Sequence, residues 1–140
     1  MPAPPELLTP TSPAEAATAF GDGAGVTVMA GGTILLPELT YGRLRPTRVL
    51  MLGRAGLSGV GNSNGVVRIG AATPVGELQD VPEPLVTAAR HVADREIRAV
   101  GTIGGNLCAS AGGTAPRGDL QAPLLALGAR APQSVARRSR

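Results

Sequence analysis

The hydrophobic and polar positions of the first fifty residues predict a compact α/β unit. Three short apolar runs, each bounded by proline or glycine, are typical of buried strands, and two segments with helical spacing separate them. The resulting order is strand, helix, strand, helix, strand. The predicted strands are 6-ELLT-9, 26-VTVMA-30 and 48-RVLML-52.

The two helices of this unit carry start signals. Ser12 is the predicted N-cap of the helix 12–20, Pro13 follows at its first position, and Glu15 is placed to close a capping box. Thr33 is the predicted N-cap of a second helix that runs to about residue 41.

Glycines at 53–56 form a joint, and the pattern then changes. The Asn64-Gly65 pair between two apolar segments predicts a β-hairpin. Residues 84–93 carry an apolar stripe at helical spacing. A short helix is expected to begin at Thr73-Pro74, and a final helix over 120–129 is expected to be capped by Asp119. The hairpin strands are 57-LSGV-60 and 66-VVRIGA-71, and the stripe consists of Leu85, Ala88, Ala89 and Val92.

We therefore expect two subdomains, 1–55 and 56–129, followed by a basic tail, 130–140, that fits neither a helix nor a strand and is predicted to be disordered.

The charge pattern argues against a nucleic-acid binder. All 13 basic residues are arginine, and four of them lie at position 130 or beyond, which leaves nine arginines against ten acidic residues in the body of the chain. A nucleic-acid binder needs a basic face on its folded body. The absence of lysine also excludes a Walker A loop and a Schiff-base lysine.

One cysteine and one histidine exclude an intrachain disulfide and a metal site built from several such ligands. The sequence contains no signal-peptide pattern and no apolar stretch long enough to span a membrane, so a cytoplasmic location is expected. We interpret Cys108 as a small buried hydrophobe and His91 as a surface or helix-packing residue. Arg98 is open between a phosphate contact and an ion pair with Asp94 or Glu96.

Two glycine pairs need an explanation, since glycine inside a regular element costs about 0.5–1 kcal/mol. They lie in 30-AGGTILL-36 and 101-GTIGGNL-107, next to hydroxyl side chains. Glycines at the start of a helix let a phosphate approach backbone N–H groups without a Cβ in the way. Each pair taken alone is also compatible with a tight corner.

Four stretches in this order resemble the flavoprotein (medium) subunit of the molybdenum hydroxylases, the family of xanthine dehydrogenase and carbon monoxide dehydrogenase. The resemblance covers residues 6 to about 129, and its most specific part is IR-x-VGTIGGN. The stretches are 30-AGGTILL-36, 69-IGAAT-73, 96-EIRAVGTIGGNL-107 and 118-GDLQAPLLALGA-129.

The resemblance implies an α/β (α+β) fold of the p-cresol methylhydroxylase type, with two FAD-binding subdomains and the C-terminal part missing. It implies electron transfer through FAD from iron–sulfur clusters on a small subunit, next to a large molybdenum-cofactor subunit, and no catalytic side chain or metal ligand on this chain. The implied cofactor-binding residues are Ala30, Gly31, Gly32, Thr33, Ile34, Thr73, Thr102, Ile103, Gly104, Gly105, Asn106 and Asp119.

The chain departs from this family at several points. Ile34 stands where the family has a short polar residue, and Ala99 stands where it has Asn. The segment between Asn106 and Asp119 is longer than usual, and the chain ends well before the family's C-terminal domain. A remnant that keeps the fold without binding FAD is therefore the alternative. A binder of nucleic acid through the basic tail is a third reading.

Overall fold

The computed structural model describes residues 3–109 and 118–132. Most of the long segment before Asp119 lies outside the described residues, and so does the predicted tail from residue 133 onward.

The first half of the chain builds a parallel three-stranded sheet around a buried central strand. Strand β3 (Arg48–Met51) lies between β1 (Glu6–Leu8) and β2 (Val26–Met29). On β3, Val49 is 1% exposed and Leu50 is 2% exposed, because a central strand of a covered parallel sheet is buried on both faces. All three strands were predicted from their apolar runs.

Helix α1 (Pro13–Phe20) connects β1 to β2 and begins where the sequence predicts. The Ser12 hydroxyl accepts a hydrogen bond from the Glu15 N–H at 3.1 Å. The capping box itself differs from the expectation, because the Glu15 carboxylate accepts from the N–H of Thr11 at 2.7 Å rather than from that of Ser12. The carboxylate therefore ties down the residue before the cap. Helix α2 (Leu35–Thr40) connects β2 to β3.

The predicted β-hairpin is present. Strands β4 (Val60–Ser63) and β5 (Val66–Ile69) are antiparallel. Asn64 and Gly65 join them with φ of 53° and 73°, the left-handed pair that a two-residue hairpin turn requires. The first strand begins at residue 60 rather than 57.

Helices make up the rest of the described chain. The apolar stripe of α3 (Leu85–Arg90) is confirmed, since Leu85 is 1% exposed and Ala89 is 2% exposed. Helix α4 (Arg95–Val100) was not predicted, although Asp94 caps it by accepting from the Ile97 N–H at 2.8 Å. The elements are a 3-10 helix at Val75–Glu77, α3 (Leu85–Arg90), α4 (Arg95–Val100), α5 (Ile103–Cys108) and α6 (Gln121–Ala126).

A hydrophobic cluster joins the 3-10 helix, α3, α5 and the start of α6, and the hairpin packs against it through Val67 and Ile69. The cluster places α5 beside the start of α6. Within the described ranges, no helix is long and apolar enough to cross a membrane. The buried members are Val75, Leu78, Val81, Leu85, Val86, Ala89, Val92, Ile103 and Leu120.

Candidate FAD site

The two glycine pairs, far apart in the sequence, meet in the fold. A Cβ added to Gly31 would run into the carbonyl oxygen of Val100 and would lie 3.0 Å from the Cα of Gly101. A Cβ on Gly105 would lie 3.8 Å from the Cβ of Ala30. The segment between β2 and α2 therefore packs backbone to backbone against the residues that lead into α5.

We call residues 30–34 the first turn. Gly32 has a φ of 77°, a conformation that side chains rarely adopt. Thr33 is not the N-cap that the sequence predicts. Ile34 occupies that position, with a helical backbone and no side-chain hydrogen bond. The Thr33 side chain instead faces the second glycine stretch, since its hydroxyl oxygen lies 3.7 Å from the position of a Cβ on Gly101.

The backbone donors of the first turn have no acceptor among the residues that the structure describes. Within residues 3–109 and 118–132, nothing accepts a hydrogen bond from the N–H groups of residues 31–35, and the first N–H to be paired is that of Leu36, which donates to the Gly32 oxygen at 2.9 Å. Gly32 is buried, whereas the other residues of this row are partly or fully exposed, so their N–H groups are open to a ligand. A row of unpaired donors around a buried glycine is the arrangement that binds anions.

The second glycine stretch is a helix rather than a turn, and its donors are already used. The N–H of Ile103 donates to the Thr73 oxygen at 3.0 Å, and that of Gly104 donates to the Ala71 oxygen at 2.8 Å. The N–H of Gly105 donates to the capping hydroxyl of Thr102 at 3.1 Å. The expectation that this stretch offers its backbone N–H groups as the first turn does is therefore wrong for residues 103–105. A Cβ on Gly104 would lie 2.7 Å from the Ala71 oxygen, so this glycine serves close packing.

Thr73 is fully buried, and its hydroxyl is occupied. It accepts from the Gly59 N–H at 2.9 Å and donates to the Gly59 oxygen at 3.1 Å. The side chain holds the loop before β4 against the chain that leads into the 3-10 helix. Thr73 therefore links two neighbours: its hydroxyl pairs with Gly59, and its carbonyl oxygen accepts from the N–H of Ile103.

Asn106 joins α5 to the start of α6. Its Oδ1 accepts from the N–H of Leu120 at 2.9 Å. Asp119 is exposed next to this bond. The prediction that Asp119 caps the final helix is wrong, since Leu120 holds the N-cap position without a side-chain bond.

Two surface clefts lie elsewhere, between the 3-10 helix, α3 and α4. Their volumes are about 410 and 450 Å³. Arg98 lines both of them, and residues 30–34 and 102–106 line neither. The candidate site is therefore defined by the unpaired N–H groups of the first turn and by the close approach of the two backbones.

The remaining candidates have simpler roles. Cys108 is exposed, so its interpretation as a buried hydrophobe is wrong. His91 is a surface residue, as expected, with Nδ1 2.8 Å from the Thr87 oxygen. Arg98 forms no ion pair with Asp94 or Glu96, because its Nη1 donates to the carbonyl oxygens of Val92 and Ala93. Its contact with a phosphate stays a prediction. Among the described residues, no group of His, Cys, Asp or Glu is arranged to hold a metal ion.

Comparison with known proteins identifies the family. Residues 4–139 match the family model described as the FAD binding domain in molybdopterin dehydrogenase. No protein of curated function matches the sequence significantly. The chain belongs to this family of FAD-binding domains, and the resemblance noted in the sequence is confirmed.

Solved structures of molybdenum hydroxylases share the fold. Carbon monoxide dehydrogenase of Hydrogenophaga pseudoflava, in a form that lacks the Mo-pyranopterin moiety, is 32% identical with a TM-score of 0.69 over 78% of this chain and 41% of its own. For reconstituted CO dehydrogenase of Oligotropha carboxidovorans the identity is 27% and the TM-score 0.67, over 78% of this chain and 41% of that one. Quinoline 2-oxidoreductase of Pseudomonas putida 86 is 26% identical, with a TM-score of 0.65, over 77% of this chain and 40% of its own.

These matches confirm the α/β fold class and place the chain among the FAD-binding components of oxidoreductases. The chain spans about two fifths of the length of the matched chains.

Proposed function

We propose that this chain is the FAD-binding part of a flavoprotein subunit that passes electrons from iron–sulfur clusters through FAD to an acceptor. The observation that carries the proposal is the row of unpaired N–H groups at residues 31–35, next to the backbone of residues 100–105. A diphosphate is an anion with many acceptor oxygens, and neutral N–H and hydroxyl donors hold it without lysine.

Within this site the chain's residues have different tasks. The first turn supplies donors, namely its N–H groups and the hydroxyl of Thr33. Gly31 lets the first turn pack against the backbone of Val100 and Gly101. Gly104 lets α5 pack against Ala71, which follows β5. The exposed carboxylate of Asp119 is assigned to the ribityl arm by its match to the family's sequence pattern.

FAD supplies the redox chemistry when it is bound, and the protein positions it and excludes competing reactions. No side chain of the site is needed as an acid or base. A small iron–sulfur subunit and a large molybdenum-cofactor subunit are the proposed partners, and the location proposed for the complex is the cytoplasm.

The alternative is a remnant that keeps the fold without FAD. Ile34 favours it, since an apolar side chain 39% exposed stands where a short polar residue would add a donor. The paired N–H groups of residues 103–105 also reduce the number of donors in this site.

The test is whether the chain retains FAD. The protein is purified with added FAD and desalted, and its visible absorption spectrum and near-UV circular dichroism are recorded. Flavin bands that stay with the protein in near-stoichiometric amount support the proposal. A folded protein that loses all flavin on desalting, and does not bind it in titration, contradicts the proposal and favours the remnant.

A further inference from the structure

The two clefts beside the 3-10 helix adjoin each other, because Gly76, Gln79 and Arg98 line both of them. We call the two clefts together the arginine groove. Their volumes, about 410 and 450 Å³, are in the range of small-molecule sites. Since residues 30–34 and 102–106 line neither cleft, the groove is separate from the candidate FAD site.

Three arginines line the arginine groove. Arg90 lines the first cleft, Arg95 lines the second, and Arg98 lines both. Arg95 and Arg98 are three positions apart on α4, so they are neighbours on the helix surface, where like charges repel each other. Within residues 3–109 and 118–132, no carboxylate lies within ion-pair distance of any of the three. An anion bound between these side chains would relieve their repulsion.

Arg98 is held in place by the end of α3. Its Nη1 donates to the carbonyl oxygens of Val92 at 2.8 Å and Ala93 at 3.0 Å, and the residue is half-buried. No described residue accepts a hydrogen bond from its Nε or Nη2. A guanidinium group donates parallel pairs of hydrogen bonds to phosphate oxygens. Arg98 therefore offers donors in an orientation that the fold has already fixed.

The acidic residues nearby do not neutralise the groove. Glu77 is the one acidic side chain that lines it in the described part of the chain. The Asp94 carboxylate caps α4, and Asp80 and Glu96 line neither cleft. Three guanidinium groups against one carboxylate leave the groove positively charged, which favours a ligand with more than one negative charge.

We propose that the arginine groove binds a small anion that carries a diphosphate group. Arg90, Arg95 and Arg98 contact the phosphate oxygens. Val75 and Leu78 line the first cleft next to Arg90 and Arg98, and they supply an apolar surface for an organic part of the ligand. The proposal does not depend on FAD binding at the first turn, so either can fail without the other.

The test is a titration followed in the amide NMR spectrum of the isotope-labelled chain, which reports binding residue by residue. Inorganic pyrophosphate and ADP are added separately at constant ionic strength, because salt screens such contacts. The test variant combines Arg90→Gln with Arg95→Gln. Both side chains are exposed and form no hydrogen bond among the described residues, so the fold is kept, which the same spectrum checks. Arg68→Gln, on the exposed side of β5, removes a charge away from the groove and is the matched control.

The proposal predicts saturable shifts at residues 76–79, 90 and 95–98 with at least one of the two probes. The double variant should bind that probe roughly tenfold more weakly or worse, because hydrogen bonds to charged groups are lost, and Arg68→Gln should bind it as the unaltered chain does. Tighter binding of ADP than of pyrophosphate would support a nucleotide as the source of the diphosphate. Equal or weaker binding of ADP would support inorganic diphosphate.

Four results would overturn the proposal. Shifts confined to residues 31–35 would place the anion in the first turn. Shifts that do not saturate would indicate an adventitious ion only. Undiminished binding by the double variant would remove the arginines from the site. A response of the groove to a polyglutamate peptide, but to neither pyrophosphate nor ADP, would assign it to an acidic protein segment instead.

Discussion

The carbonyl oxygen of Val100 occupies the space in which a Cβ on Gly31 would lie. This single contact explains why the first glycine pair cannot carry a side chain at position 31. It also brings the free donors of the first turn next to the residues that lead into α5.

The approach of these two backbones predicts a large cost for Gly31→Ala. Neither backbone can move without disturbing β2 or α4, so overpacking is expected to lower the free energy of unfolding by about 1–3 kcal/mol. Gly53→Ala is the matched control, because a Cβ there meets nothing within 4 Å. Urea unfolding of both variants measures the difference. Equal stability of the two variants would show that the contact with Val100 is not tight.

The buried hydroxyl of Thr73 predicts that Thr73→Val is less stable, although the side chain keeps its volume. Thr73→Val keeps the shape of the side chain but removes the hydroxyl that pairs with both the N–H and the oxygen of Gly59. Burying these groups unpaired is expected to cost about 1–3 kcal/mol.

Thermal or urea unfolding measures this cost, and the control is Thr40→Val. Thr40 is exposed, and its hydroxyl has no partner among the described residues. A Thr73→Val protein as stable as Thr40→Val would contradict the structural role assigned to this hydroxyl.

Glu15 predicts a pH dependence of stability. Hydrogen bonds from the N–H and hydroxyl of Thr11 hold the pKa of Glu15 below its usual value of 4.5. A carboxylate whose pKa is lowered in the folded state stabilises the fold above its unfolded pKa, and this contribution is lost as the pH falls through the folded pKa.

Glu15→Gln should therefore be less stable than the unaltered protein near neutral pH. The difference between the two proteins should shrink as the pH falls from about 6 to about 3. Urea unfolding across this range measures it. A difference that stays constant or grows on acidification would contradict the assignment.

Local signals in the sequence predict much of the fold. The apolar runs define the three parallel strands, Ser12 and Pro13 define the start of α1, and Asn64-Gly65 defines the hairpin turn. The start of α4 could also have been predicted from the sequence, since Asp94 is a good N-cap residue.

The different roles of the two glycine pairs cannot be predicted from the local sequence. Gly104 and Gly105 look like Gly31 and Gly32 in the sequence, yet the N–H groups of the second pair are paired by Ala71 and by the Thr102 hydroxyl. These acceptors come from tertiary packing and from a capping bond. The predictions for Cys108 and Asp119 were wrong for the same reason. Tertiary packing decides whether a side chain is buried or caps a helix.

The central claim is that the first turn holds the phosphates of FAD, and the most direct measurement compares ligands with and without them. Calorimetric titration with FAD and with riboflavin is carried out on the unaltered chain, on Thr33→Val and on Thr40→Val. FAD should bind far more tightly than riboflavin, and Thr33→Val should narrow this gap roughly tenfold or more, because a hydrogen bond to a charged group is lost. Thr40→Val should leave the gap unchanged. Equal affinities for FAD and riboflavin, or a gap that Thr33→Val leaves intact, would contradict the role assigned to the first turn.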